Sequence, residues 1–190
     1  MKTGFVIGNG KSRKGISLAA LAARGETYGC NALYREFTPN VLVATDRPIA
    51  TEIQRIGYPH KHTFYTRHPV KNSPAKTVPA QYFGFSSGPI AAAIAAKNCD
   101  RIFLIGFDFG SRPGEKFNNI YAGTSFYKKE HDRPTPGDNW IKQIQKIVKD
   151  NPGVKFYRVA GPESNDLTFD LLDNYQTIDS ESFLKLLNTI

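Results

Sequence analysis

Short runs of consecutive apolar residues, each ending near glycine or aspartate, restrict this chain more than any other feature. Phe5-Val6-Ile7 runs into Gly8, Val41-Leu42-Val43-Ala44 into Thr45-Asp46, and Ile102-Phe103-Leu104-Ile105 into Gly106. A strand with one wet face alternates apolar and polar residues, whereas unbroken runs of this kind belong to strands covered on both faces. Segments with helical spacing separate these runs. The expected fold is therefore α/β: a doubly wound, mostly parallel sheet of about six or seven strands, Rossmann-like, forming one domain over residues 1–190.

Strands are expected at Thr3 to Gly8, Thr27 to Asn31, Asn40 to Asp46, His62 to Thr66, Ile102 to Phe107 and Val154 to Val159. Ile16, Ala19, Ala20 and Ala23 recur at helical spacing, with Gly25 where a C-terminal glycine stop belongs. Pro48 to Ile56 reads as a helix with proline in its first turn and Gly57 as its stop, and Ser86-Ser87-Gly88-Pro89 opens an alanine-rich helix through Lys97. Trp140 to Lys149 and Ser180 to Leu187 complete the helices, Ser180 being the candidate N-cap. Arg67 to Pro79 is basic, carries prolines and reads as a mobile exposed loop. Residues 110–139 show no clean period, and a segment that long in a compact domain reads as a lid or acceptor loop.

The chain has 190 residues and a formal charge of +8, which favours phosphorylated or polyanionic partners such as a nucleotide, an anionic glycan acceptor or a nucleic acid. Cys30 and Cys99 are too far apart for a CxxC metal pair and read as reduced thiols. No stretch approaches the ~20 apolar residues of a membrane span, and the short N-terminal apolar run does not read as a signal peptide, so a cytoplasmic protein is expected. His60, His62 and His68 do not share one helix face and form no metal cluster, and Trp140 reads as a core residue.

The loop Gly8-Asn9-Gly10-Lys11-Ser12-Arg13 is the first candidate site. It fails the dinucleotide fingerprint G-x-G-x-x-G, because Arg13 stands at the third glycine. It also fails the phosphate loop G-x-x-x-x-G-K-[ST], because Phe5 stands at the first. What remains is a pair of glycines that lets backbone approach a ligand, followed by helical N–H groups that can receive an anion. Lys11, Arg13 and Lys14 are read either as a solvated face or as part of a patch that follows a nucleic-acid backbone. Ser86-Ser87-Gly88 offers a second helix opening of the same kind, each such terminus contributing ~0.3–1 kcal/mol to anion binding. Asp46 and Asp108, at strand ends, complete the set.

Several blocks resemble the bacterial family 42 sialyltransferases. Val6-Ile7-Gly8-Asn9-Gly10-Lys11-Ser12 and Tyr28-Gly29-Cys30-Asn31-Ala32-Leu33-Tyr34 are similar to that family's GNGPS-like loop and RCN segment. Ser86-Ser87-Gly88 with Cys99-Asp100-Arg101-Ile102-Phe103-Leu104-Ile105-Gly106-Phe107-Asp108-Phe109 is similar to its second block, and also to the core block of the animal sialyltransferases. His131, the helix from Trp140, Val154-Lys155-Phe156-Tyr157 and Pro162-Glu163-Ser164 are similar to its closing block. The resemblance implies a glycosyltransferase using a sugar activated as a cytidine monophosphate (CMP) ester, with no metal or other cofactor. Gly8, Asn9, Gly10, Ser12, Asn31, Asp46, Ser86, Ser87, Gly88, Phe107 and Asp108 would bind the nucleotide, and His131 would be the general base. The family's tyrosine after its D-F pair is Gly110 here, so Tyr121 or Tyr127 would stabilise the leaving phosphate. The same blocks resemble the archaeal-type hydroxymethylpterin diphosphokinases, which implies ATP and Mg²⁺ with Asp46 and Asp108 as ligands. A third expectation is a nucleotide or nucleic-acid binding module without catalysis.

Overall fold

Alternate residues of each central strand face opposite helical layers, which is why these strands are apolar throughout. In a computed structural model that describes residues 1–165 and 172–190, Phe5 and Ile7 point to one side of the sheet and Val6 to the other. Phe103 and Ile105 likewise face away from Ile102 and Leu104. The strands are β1 (Thr3–Ile7), β2 (Glu26–Cys30), β3 (Val41–Val43), β4 (Thr63–Thr66), β5 (Lys76–Thr77), β6 (Arg101–Ile105), β7 (Lys155–Ala160) and β8 (Tyr175–Asp179). They form one sheet in the order β5-β4-β3-β2-β1-β6-β7-β8, and every pair is parallel.

The chain winds outward from β1 to β5, returns to lay β6 beside β1, and then winds outward the other way. Val6 pairs with Tyr28 on one side and Leu104 on the other. The reversal between β1 and β6 opens a crevice at the carboxyl ends of the strands, where open α/β sheets bind ligands.

Helices α1 (Leu18–Ala22), α2 (Arg47–Arg55) and α5 (Ser180–Leu187) contribute to the core on the Phe5 face, and α3 (Ser87–Ala96) and α4 (Asp138–Asp150) to that on the Val6 face. Every residue of α3 after Gly88 is buried, because the helix lies between the sheet and α4 and has no wet side. α4 buries Ile144, Ile147 and Val148, packs Trp140 and Ile141 partly against the same core, and is otherwise polar. No helix among the described residues is long and apolar enough to cross a membrane.

Four features differ from the sequence expectation. The sheet has eight strands among the described residues: β5 is two exposed residues within the segment read as a mobile loop, and β8 is an edge strand with only Tyr175 and Ile178 half-buried. Neither carries the apolar run that marks a covered strand. The first helix buries Ile16 and Leu21 and leaves Ala19 and Ala23 exposed, because a 3₁₀ turn at Lys11–Arg13 intervenes and Ser17 caps a new start through Ala20 N–H. Gly25 is not a left-handed stop; a Cβ there would lie 2.5 Å from the Thr3 carbonyl oxygen, so glycine is required by close approach. Asp179, one residue before Ser180, caps α5 by accepting from Ser182 N–H at 2.8 Å.

Phe103 anchors the Phe5 face, with ring centroids 5.6 Å from Phe5, 5.2 Å from Tyr157 and 5.2 Å from Phe183. Phe103→Ala is expected to lower unfolding free energy by about 3–5 kcal/mol in urea titrations. Leu184→Ala, at a site 43% exposed, is expected to stay within about 0.5 kcal/mol of wild type. Equal effects from the two would contradict this packing.

Candidate functional site

The crevice begins where β1 and β6 end. Gly8 N–H donates to the Ile105 carbonyl at 2.8 Å and Gly10 N–H to the Gly106 carbonyl at 3.0 Å, so the two strand ends stay paired past the sheet. A Cβ on Gly8 would lie 2.6 Å from the Gly106 oxygen, and one on Gly10 2.7 Å from that atom and against the Asp108 carboxylate. The glycines of this loop are therefore required by the neighbouring strand end, not by a ligand.

Asp108 is 3% exposed and collects the surrounding segments. Its Oδ2 accepts from Ser12 N–H at 3.0 Å and from the Asn118 amide at 3.0 Å, and its Oδ1 accepts from the Ser164 hydroxyl at 2.9 Å. Asn118 also accepts from Lys11 N–H at 2.8 Å and donates to the Glu163 carbonyl at 3.0 Å. A metal ion at Asp108 would have to displace these donors. Among the described residues no group of three or more His, Cys, Asp and Glu side chains could hold a metal ion. The Mg²⁺ site implied by the diphosphokinase resemblance does not fit here.

A second hub joins β2, β3 and α3. The Ser87 hydroxyl donates to Asn31 Oδ1 at 2.9 Å and accepts from Thr45 N–H at 3.0 Å. The Ser86 hydroxyl accepts from the Trp140 indole N–H at 3.1 Å, and Ser86 N–H donates to Gln143 Oε1 at 2.8 Å. Both serine hydroxyls are thus engaged within the protein. The amides of Ser87 and Gly88, in the first turn of α3, find no acceptor among the described residues. Asn31 and Phe109 line this space with φ of +52° and +54°, a strained conformation of the kind that collects at binding sites.

The resulting cleft has a volume of about 510 Å³, within the range of small-molecule sites. Gly8, Asn9, Gly10, Asn31, Asp46, Ser86, Ser87, Gly88, Phe107 and Asp108 all line it. Ser12 does not, since it is buried beneath the loop with its backbone on Asp108. Sequence reasoning missed Arg67, Trp140 and Asn118, which also line the cleft. Arg67 is the cation here: its guanidinium is fixed by the Phe83 and Phe85 carbonyls, both at 2.6 Å, beside the α3 opening. Cys30 reaches the wall, but burial pushes its thiol up to about 12, so it is no nucleophile at neutral pH.

The segment 110–139 folds back over the loop end without regular structure before α4. Ile120 N–H donates to the Asn9 carbonyl at 2.8 Å. The Tyr127 hydroxyl accepts from Ala32 N–H at 3.2 Å and from the Asn9 amide at 3.3 Å. The Tyr121 hydroxyl sits between Glu36 and Arg13. Neither tyrosine lines the larger cleft. Tyr127 instead joins Asn31, Asp46, Pro48, Ile49 and Phe126 around a smaller cavity of about 220 Å³. His131 is exposed and lines neither cavity. Gly110 has φ +94°, so the tyrosine found there in the resembled family would be strained.

The basic patch is corrected. Arg13 is 4% exposed and bonded to Glu36 at 2.6 Å and Tyr121 at 3.0 Å, and Lys11 pairs with Glu130 at 2.9 Å. Lys14 is the exposed one of the three and makes no such pair among the described residues, so the three do not share one solvated face. Scans against protein-family models, curated proteins and solved structures returned no match to this chain.

Asp108→Ala is expected to strand three donors, each unsatisfied buried group costing about 1–3 kcal/mol. Thermal and urea unfolding should show a loss of several kcal/mol. A variant as stable as wild type would show that Asp108 does not hold the site together.

Proposed function

We propose that the larger cleft binds a nucleotide-activated sugar, with the donor phosphate on the Ser87 and Gly88 amides beside Arg67, and that the protein is a glycosyltransferase. The observation that carries the reading is the pair of α3 amides without acceptors among the described residues, opening on the crevice next to a fixed guanidinium. A helix N-terminus carries partial positive charge, and the guanidinium adds a full one, so an anion is favoured there over any neutral group. Trp140 and Phe109 supply apolar wall for a base or sugar ring, while Asn31 and Asp46 add hydrogen-bonding groups to the lining.

The resemblance to sialyltransferases selects the CMP-sugar class among nucleotide donors. In such a transfer an acceptor hydroxyl displaces the nucleoside monophosphate from the anomeric carbon. Arg67 and the α3 amides supply fixed positive potential where negative charge grows on the leaving phosphate, without reorganising during the step. The diphosphokinase reading needs Asp108 on a metal ion, which would have to displace the Ser12, Asn118 and Ser164 donors that the carboxylate already holds.

Thermal shift and calorimetry with CMP, a CMP-sugar, UMP, a UDP-sugar, ATP with Mg²⁺ and cytidine test the reading. CMP or its sugar ester at a hundred times Kd is expected to stabilise the protein by about 2.7 kcal/mol. Arg67→Gln should weaken phosphate-bearing ligands tenfold or more and leave cytidine unchanged. Stabilisation by none of these nucleotides would end the proposal, and an Arg67→Gln variant with undiminished CMP affinity would move the phosphate elsewhere.

A further inference from the structure

Asn31 and Asp46 line both cavities, so the two spaces meet across this pair. The smaller one has an apolar floor of Pro48 and Ile49, an aromatic side of Phe126 and Tyr127, and a polar end made by the amide and the carboxylate. Its volume of about 220 Å³ is less than half that of the larger cleft and suits a single ring. A ring with an apolar face and hydroxyls at its edge, a saccharide, matches that division of surface.

Two further observations mark the cavity. Phe126 is 50% exposed at its rim and has φ +73°, a conformation that a bulky residue keeps only when its surroundings enforce it. Arg35 does so by clamping the two preceding residues, donating to the Thr124 hydroxyl at 2.9 Å and the Ser125 carbonyl at 3.0 Å. Asp46 caps the start of α2 by position but makes no side-chain hydrogen bond there, leaving its carboxylate uncommitted among the described residues.

We infer that the smaller cavity is the subsite for a saccharide acceptor, and that Asp46 is the catalytic residue that takes the proton of its reacting hydroxyl. The inference rests on the glycosyl-transfer reading of the larger cleft. The acceptor ring lies against Phe126 with one hydroxyl passing Asp46 toward the donor. Its oxygen bonds to the anomeric carbon as the bond from that carbon to the phosphate oxygen breaks. The electron pair leaves on the phosphate, and the hydroxyl proton goes to Asp46 and then to water. The other acidic groups lining the cavities are held otherwise: Asp108 accepts from Ser12, Asn118 and Ser164, and burial keeps the Cys30 thiol and the Tyr127 hydroxyl protonated.

Ligand-observed NMR with a panel of hexoses and N-acetylhexosamines, followed by donor-consumption assays using those that bind, tests the inference. Phe126→Ala should weaken saccharide binding tenfold or more and raise acceptor KM while kcat changes little. Asp46→Asn should lower kcat by 10² or more, the range expected for a lost general base, while saccharide affinity changes less than in Phe126→Ala. Both side chains are exposed, so thermal unfolding of the variants should match wild type. No saccharide binding, or equal binding by wild type and Phe126→Ala, would overturn the subsite. Turnover retained in Asp46→Asn and lost in His131→Asn would overturn the role of Asp46. Saccharide binding sensitive to Phe126, in a protein that binds no nucleotide, would support the subsite while overturning both the transfer reading and the proton step.

Discussion

Three segments that would otherwise drift apart at the end of the sheet are held by one buried carboxylate. Asp108 accepts from the turn after β1 through Ser12, from the overlying segment through Asn118, and from the exit of β7 through Ser164. Gly10 lacks a side chain because this carboxylate occupies the space. Beneath it Arg158, 1% exposed, donates to the Phe107 and Asn165 carbonyls, both at 2.9 Å, and lies 4.9 Å from the Phe109 ring. Asn165 in turn donates to the Phe109 carbonyl at 3.0 Å. Buried polar groups are stabilising when their partners are supplied, and here they fix the rim of the crevice as firmly as packing fixes the sheet.

That scaffold divides the charged residues into two sets. Asp108, Arg158, Arg13 and Glu36 spend their hydrogen bonds on the protein itself. Arg67 is held by two carbonyls but still presents its charge to the cleft, and Asp46 presents an uncommitted carboxylate. The cleft therefore carries charge of both signs, the Arg67 guanidinium beside the start of α3 and the Asp46 carboxylate at the start of α2, and that field acts on a charged ligand before any shape fit is considered.

The sheet was legible because a strand covered on both faces has no polar position, so its sequence is a run rather than a pattern. The exceptions follow from the same physics, since β5 and β8 are edges with little to bury. The crevice was half legible: Gly8, Asn9, Asn31, Asp46 and the Ser86-to-Gly88 turn all fall at strand ends or helix starts, where chain direction puts residues at the crevice. Arg67, Asn118 and Trp140 could not be found that way, because they reach it from loops and a helix distant in sequence. Arg13 shows the reverse error: its basic neighbourhood reads as surface, while its partners Glu36 and Tyr121, from separate segments, bury it.

The segment 110–139 is better described as part of the site than as a cover laid on it. Tyr127 is pushed well above the ordinary tyrosine range, chiefly by burial, so its hydroxyl stays neutral. In that form it accepts from Ala32 and Asn9, two donors that otherwise face a desolvated space. Lifting the segment leaves Ala32 N–H without an acceptor until water enters, at about 1–3 kcal/mol, while the Asn9 amide keeps only its long contact of 3.4 Å to the Cys30 carbonyl. Asn31 stands directly before Ala32 and is bonded on its other side to Ser87, so the strained turn is held from the lid and from α3 together. The turn that bonds to α3 through Asn31 thus also bonds, through Ala32, to Tyr127, which stands beside Phe126 in the wall of the smaller cavity.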